Sequence, residues 1–205
     1  MAPRTRVPAD GLVSAVPTLK LLSSPLRQEL IDTLEALGGE APVAALAQQL
    51  GKSADGLYYH LRQLVAGGVL EELPPATDAA VAGRRYRILI QPGKRLRLKY
   101  EPRRKGQTEA LGKLIGSMLG IARRDFERAL GTRGVALEGP CRELWASRTK
   151  GWVSTAELAE INSLLQRLTL LLNQPRTAER ERLLALAFVL SPVPAQATRR
   201  GRTPG

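Results

Sequence analysis

One stretch decides the fold of this chain: residues 43–70 read VAALAQQLGKSADGLYYHLRQLVAGGVL. The stretch predicts two short helices joined by a tight turn. Gly51 is typical of a helix end, because glycine adopts positive φ without strain, and the hydroxyl of Ser53 can cap the helix that follows. The second helix then carries one buried stripe at helical spacing, formed by Leu57, Leu61 and Leu64.

The opposite face of this second helix is aromatic, polar and cationic. At about 100° per residue, Tyr58 and Gln63 lie on the flanks of the leucine stripe. The residues opposite the stripe are Asp55, Tyr59, Arg62 and Ala66. An amphipathic helix held by a short preceding helix meets the physical requirement for entering a DNA major groove. An ordinary helical hairpin is the alternative that gives the same pattern.

The segments around this stretch carry a family resemblance. SSPLRQELIDTLE precedes it, VAALAQQLGKSADGLYYHLRQLVAGGVLEEL contains it, and GRRYRIL follows. In this order, over about residues 18–90, the sequence resembles the winged helix-turn-helix of the ArsR-type bacterial transcription regulators. The resemblance implies a DNA-binding domain over residues 17–91, with a recognition helix at about residues 53–66 and a homodimer as the functional unit.

The segment after the recognition helix predicts a β-hairpin, the wing. Residues 69–73 alternate as a strand, a loop runs from Pro74 to Gly83, and residues 84–90 return as the second strand. Arginines on the returning strand can lie along the sugar-phosphate backbone, and the tip can probe the minor groove. A solvated strand edge that discourages pairing is the alternative role. These arginines are Arg84, Arg85 and Arg87.

The sequence thus predicts one set of DNA-contacting residues on the turn, the recognition helix and the wing. The set comprises Lys52, Ser53, Asp55, Tyr58, Tyr59, Arg62, Arg84, Arg85 and Arg87. His60 lies about 60° from the leucine stripe, where a partly buried imidazole is the ordinary expectation. The alternative is that His60 contacts a phosphate group or a base.

The N-terminal residues predict a scaffold for the recognition helix. Residues 1–16 show no clear period and are expected to form a flexible arm, in which Arg4 and Arg6 are candidate phosphate contacts. Ser24 and Pro25 then start an amphipathic helix that ends at Gly38. Together with a short helix at residues 18–22, it gives the leucine stripe a surface to pack on.

Charge and composition limit the classes of protein this chain can belong to. The formal net charge of +12 and the pI near 10.7 predict attraction to polyanions. Cys141, the only cysteine, excludes an internal disulfide framework and is expected to be buried. The apolar stretch at residues 110–122 is shorter than the roughly 20 residues that cross a bilayer. The expected location is the bacterial cytoplasm, on the nucleoid.

The C-terminal half predicts a smaller α+β dimerisation or sensor domain at residues 92–191, followed by a disordered basic tail at residues 192–205. The longest helical pattern covers residues 107–130, and its glycines at a spacing of four favour a close helix contact. The contact could be with a second copy or with the chain's own core. These glycines are Gly112, Gly116 and Gly120.

Other elements of this half are predicted from breakers and apolar runs. Residues 94–100 and 142–149 have the pattern of strands, and the uniformly apolar run 183–190 is expected to be a buried strand. Ser154 opens a capping box before a helix that ends near residue 172. The overall fold class is therefore α+β, with a winged helix-turn-helix domain first.

The chain lacks the residue patterns of metal or catalytic chemistry. A soft-metal site needs several Cys or His donors, and Cys141 and His60 are single and distant, so no metal or cofactor is expected. No nucleophile with a base and no phosphate-binding glycine loop is present, so we expect no enzyme. A small apolar effector would find its pocket among the larger rings of the second half, Tyr100, Phe126, Trp145 and Trp152.

Three functions compete on this sequence. The leading one is a sequence-specific transcription regulator that binds double-stranded DNA as a homodimer. A non-specific architectural DNA- or RNA-binding protein would explain the overall positive charge equally well. A winged-helix module that binds other proteins is the third, although an exposed face with Arg62 beside Tyr58 and Tyr59 speaks against it.

Overall fold

The computed structural model describes residues 7–74, 83–90, 95–101 and 103–193. Within these ranges the chain has a mixed α+β fold. The helices are α1 Val16–Leu22, α2 Pro25–Ala36, α3 Val43–Leu50, α4 Ala54–Ala66, α5 Gln107–Leu130 and α6 Thr155–Leu172. The strands are β1 Leu12–Val13, β2 Glu40–Pro42, β3 Leu70–Leu73, β4 Arg85–Ile88 and β5 Arg97–Leu98.

The predicted helix pair is confirmed, and its turn has the expected chemistry. α3 ends at Gly51, whose φ of +60° is left-handed, and its N–H donates to carbonyls at the end of α3. Ser53 caps α4 by accepting a hydrogen bond from the backbone N–H of Gly56. Pro25 stands at the start of α2, as predicted, although the Ser24 hydroxyl makes no capping hydrogen bond there.

Leucines of α2, α3 and α4 form the centre of the N-terminal core, which Leu19 and Leu22 of α1 extend. The leucine stripe of α4 is completely buried, as predicted, and packs with leucines of α2 and α3 and with Tyr86 of β4. Burying one such side chain contributes about 1.5–3 kcal/mol. The completely buried leucines of the three helices are Leu30, Leu34, Leu46, Leu57, Leu61 and Leu64.

A three-stranded antiparallel sheet with the order β2-β4-β3 lies beside these helices. The two strands predicted for the wing are confirmed as β3 and β4, with slightly shorter bounds, and Leu70 pairs with Ile88. Glu40 of β2 pairs with Arg87 on the other edge of β4. Most of the predicted loop between the strands, residues 75–82, lies outside the described ranges.

The N-terminal residues differ from the expected flexible arm. β1 pairs in parallel with β5, so that Leu12 lies beside Arg97 and Val13 beside Leu98. Val7 and Val13 are only 3% and 2% exposed, because this apolar pair is covered by the helical core. Arg4 and Arg6 lie outside the described residues. The strand predicted for residues 94–100 corresponds in its centre to β5.

The long helix α5 packs against α1 and α2 through one face. Gln107 is completely buried at its start, and its Nε2 donates to the carbonyls of Ser14 and Lys99 at 3.0 and 3.3 Å. The glycine face of α5 points elsewhere: a Cβ added at Gly112, Gly116 or Gly120 would meet no atom of the described residues within 4 Å. The interpretation that these glycines contact the chain's own core is therefore wrong.

The described part of the C-terminal half beyond α5 contains one helix. α6 begins with the predicted capping box, in which Ser154 and Glu157 each accept a hydrogen bond from the other's backbone N–H. The strands predicted at residues 142–149 and 183–190 are wrong, because neither segment has strand structure. An apolar run becomes a buried strand only when a sheet receives it, and no described strand pairs with either segment.

Burial in this half also differs from the sequence predictions. Trp145 and Trp152 are 68% and 95% exposed, so they do not line the expected effector pocket. The guanidinium of Arg142 stacks on the Trp145 ring at 3.0 Å from its centroid. Cys141 is exposed, and the prediction of a buried thiol is wrong. The arginines of the C-terminal tail and the domain boundary near residue 92 lie outside the described ranges.

Candidate nucleic-acid interface

The outward face of α4 has an orientation that is fixed by the buried side of the same helix. The leucine stripe fixes the inner face of this helix in the core, so the outer residues cannot rotate inward. Tyr59, at the centre of the face, is 58% exposed, and its ring meets the His60 ring edge-on at a centroid distance of 5.3 Å. The exposed residues of this face are Asp55, Tyr59, Arg62 and Ala66, as predicted.

The turn before α4 is held by backbone hydrogen bonds, which leave its polar side chains exposed. The Lys52 N–H donates to the Ala47 carbonyl at 3.0 Å, while its side chain is exposed. Ser53 accepts from the Gly56 N–H at 3.3 Å. Helix N-terminal amides carry partial positive charge and attract phosphate groups. Lys52 therefore adds a cation where the helix dipole already favours an anion.

A cleft of about 480 Å³ opens between α4 and the start of β4. It is lined by Asp55, Tyr58, Arg62 and Arg84, all members of the predicted contact set. The Arg84 guanidinium lies 5.9 Å from the centroid of the Tyr58 ring, and its Nη1 is 3.0 Å from Oε1 of Glu72. The cleft thus combines two cations, an aromatic ring and one carboxylate acceptor.

The predicted wing arginines are paired with glutamates. Arg85 forms an ion pair with Glu40, and Nε of Arg87 donates to Oε1 of Glu71 at 2.6 Å. Exposed ion pairs of this kind stabilise a fold by only about 0–1 kcal/mol. They nevertheless neutralise much of the positive charge that the sequence assigns to β4.

These glutamate partners were missed by the sequence analysis. Glu71 and Glu72 follow each other on β3, and β3 lies opposite β4 in the antiparallel pair, where Glu71 faces Arg87. The sequence places two glutamates in LEEL of β3 and two arginines in RYRI of β4. These residues can be recognised as pairs only when the strand register is known. Among the described residues, Lys52 and Arg62 form no ion pair, unlike the three wing arginines.

His60 is half-buried beside the exposed face, in agreement with the predicted partly buried imidazole. Burial lowers the pKa of its imidazole, and the charge of Arg27 lowers it further. The ring is therefore neutral at neutral pH. Its Nδ1 is buried and finds no hydrogen-bond partner among the described residues.

A family model matches part of the chain. Residues 22–72 match a family described as a helix-turn-helix domain, a range that contains α2, α3, α4 and most of β3. No curated protein matches the chain. The chain thus carries a helix-turn-helix domain, the kind of module with which regulators bind DNA.

Within the described ranges, no helix combines the length and apolar character that crossing a bilayer requires. The same residues hold no group of three or more His, Cys, Asp or Glu side chains arranged to bind a metal ion.

Proposed function

We propose that this protein is a sequence-specific transcription regulator of the ArsR-like winged helix-turn-helix type. It acts as a homodimer on double-stranded DNA in the bacterial cytoplasm, where it associates with the nucleoid. It has no catalytic role and needs no cofactor. The observation that carries this proposal is the outer face of α4, which is exposed, oriented by the buried leucine stripe and chemically varied.

The face of α4 offers contacts for base edges. The carboxylate of Asp55, in the first turn of α4, can accept a hydrogen bond from the amino group of cytosine. The exposed ring of Tyr59 can contact a thymine methyl group, and its hydroxyl can donate or accept a hydrogen bond. Specificity would arise from these neutral and anionic groups, because the negative phosphates do not attract them and their contacts depend on the bases.

The backbone contacts are assigned to cations around the cleft. Lys52 at the start of α4 and Arg62 two turns later bracket the helix, and Arg84 stands across the cleft. Arg84, Arg85 and Arg87 are weaker candidates for phosphate contacts than Lys52 and Arg62, because each would first have to leave a glutamate. A two-fold dimer would place two such sites about one DNA turn apart.

A non-specific architectural protein is the second candidate, and the net charge of +12 favours it. Selection of bound fragments from random genomic DNA separates the two. We expect one sequence family to be enriched, because Asp55 and Tyr59 read base edges. Uniform recovery of all fragments would contradict the specific regulator and support the architectural protein.

The phosphate assignment is tested through the dependence of affinity on salt. Arg62→Ala should lower the slope of log affinity against log salt by about 0.9, since one phosphate contact releases about that many counterions. Arg123→Ala is the matched control, because Arg123 lies on α5 and is paired with Glu127. An unchanged slope for the Arg62 variant would exclude this residue from the interface.

A further inference from the structure

The segment from residue 133 to residue 193, called here the C-terminal arm, does not pack like the rest of the chain. α6 buries none of its residues and makes no extensive contact with any other described element. The arm nevertheless exposes many large apolar side chains. On α6 and beyond it these are Leu158, Leu164, Leu168, Leu170, Leu171, Leu172, Leu183, Leu184, Leu186, Phe188, Val189, Leu190 and Val193.

This apolar surface is as large as a protein interface. With each side chain about half exposed, the arm presents on the order of 1,000 Å² of apolar surface. The largest apolar patch on a typical monomer is only about 300–600 Å². A stable protein interface buries about 800 Å² on each partner. The exposed area is therefore the amount that one partner of a stable dimer needs.

α6 carries a regular seam, of which Leu158, Leu168 and Leu172 belong to this surface while Ile161 and Leu165 are half-buried between them. Five apolar residues recur at alternating intervals of three and four, which is the pattern of a helix that packs against another helix. They are Leu158, Ile161, Leu165, Leu168 and Leu172. Beside the seam, the one charged residue within α6 is Glu157, whose carboxylate is occupied in the cap with Ser154. The other flanking positions are Asn162, Leu164, Thr169 and Leu171.

The polar residues beside the seam do not need a polar partner. Nδ2 of Asn162 donates to the Leu158 carbonyl at 2.7 Å, and Oγ1 of Thr169 donates to the Leu165 carbonyl at 2.9 Å. With these groups satisfied within α6, nothing along the seam selects a partner of opposite charge. A surface of this kind is complementary to itself.

We propose that the occupant of this seam is α6 of a second copy of the chain. The proposal names the contact surface of the dimer invoked in the proposed function. Leu165 is the central residue of the seam, with two seam residues on each side. In a fully overlapped two-fold pair, parallel or antiparallel, it therefore meets the same residue of the other copy.

Sedimentation velocity of the full chain tests the interface. The wild type should be a dimer at micromolar concentration, and Leu165→Glu should raise the dimer dissociation constant by about a hundredfold or more, because it buries an unpaired charge. Gln166→Glu adds the same charge at the neighbouring exposed position and should leave the dimer intact. A monomeric wild type, or a Leu165→Glu variant that dimerises normally, would overturn the proposal.

A cross-link gives a second measurement that does not depend on weakening the dimer. In a Cys141→Ser background, Leu165→Cys should form an intermolecular disulfide under mild oxidation, while Gln166→Cys should not. Equal cross-linking of the two variants would refute the seam. A dimer that resists Leu165→Glu but dissociates on Gly116→Leu would place the interface on the open glycine face of α5 instead.

The DNA-binding proposal can fail independently of this one. The Leu165→Glu monomer should keep its affinity for a single half-site and lose at least about tenfold on a two-fold symmetric site, because the linked second contact is gone. If the wild type dimerises through the seam but enriches no DNA sequence, the interface stands and the regulator is refuted.

Discussion

At the scale of single residues, substitution of Tyr59 tests sequence recognition without changing the charge of the protein. Its ring is exposed at the centre of the α4 face and lies against the edge of the His60 ring. Tyr59→Ala should cost about 1–3 kcal/mol at the selected site and leave binding to random DNA nearly unchanged, since no charge is removed. Fluorescence anisotropy titrations of both duplexes at one salt concentration make the comparison.

The matched control for this substitution is Tyr100→Ala. Tyr100 is 69% exposed and lies outside α4, so its loss should affect neither duplex. Equal losses on the selected and random duplexes for Tyr59→Ala would show that this ring does not read sequence.

Glu35 predicts a pH dependence of stability. Its side chain is 10% exposed, with Oε2 at 3.2 Å from Nε of Arg95, and burial raises the pKa of the carboxyl to about 7, although Arg95 opposes this. Because the folded-state pKa lies above the ordinary 4.5, the neutral form favours the folded state. Its stabilisation is complete below pH 4.5 and is lost as pH rises through 7.

The corresponding measurement is urea unfolding of wild type and Glu35→Gln across this pH range. The wild type should lose up to about 3 kcal/mol relative to the variant as pH rises. Glu127→Gln, at an exposed carboxylate on α5, serves as the control and should follow the wild type. Parallel curves for wild type and Glu35→Gln would contradict the assignment.

The residue-scale predictions from sequence succeeded where local chemistry decides. The burial of Leu57, Leu61 and Leu64 follows from helical period, and the Ser53 cap follows from position. The partners of the wing arginines could not be found in this way. Glu40 lies 45 residues before Arg85, and only the strand register brings them together.

At the scale of elements, the β1–β5 pair depends on one glycine. Gly11 has a φ of +76°, and a Cβ there would come within 2.2 Å of the Arg95 carbonyl oxygen. Its own carbonyl accepts from the Arg97 N–H at 2.8 Å. Gly11→Ala should lower the free energy of unfolding by more than about 1–2 kcal/mol, since it adds a backbone clash to the cost of the left-handed conformation.

Gly116→Ala is the control for that measurement by thermal or urea unfolding. It lies inside α5, where an added Cβ meets open space, so it should stabilise the chain by up to about 1 kcal/mol. If Gly11→Ala is as stable as wild type, the parallel pair does not contribute to the fold.

Helices were better predicted than strands, and the reason is physical. α4, α5 and α6 each carry a period, a cap or both, all within one segment. A strand exists only with a partner, and the apolar runs at residues 142–149 and 183–190 have none among the described strands. The position of β1 could not be predicted either, because a strand of two residues is too short to show an alternating pattern.

At the scale of the whole molecule, α5 belongs to the packing of the N-terminal half. Ala110 and Leu114 join the same apolar core as Leu19 and Leu22 of α1. The fragment 1–91 removes α5 and β5, so it should lose several kcal/mol of unfolding free energy, at about 1.5–3 kcal/mol for each large apolar side chain uncovered. The domain boundary near residue 92 stays a prediction until this is measured.

The fragment 1–132 is the comparison that isolates α5. It keeps the α1–α5 contact and lacks the C-terminal arm, as fragment 1–91 does, so neither is affected by contacts made through α6. Urea unfolding should give a clearly higher stability for 1–132. Equal stabilities would show that residues 17–91 fold as an independent unit.

The parallel pairing of Leu12 with Arg97 also sets the order in which a growing polypeptide can fold on the ribosome. Synthesis proceeds at about 5–20 residues per second, so the first strand emerges several seconds before its partner exists. The helices and the antiparallel sheet between residues 16 and 88 can close earlier, because their contacts are more local. The nascent domain therefore assembles from residues 16–88 first, and β1 is among the last elements to pair.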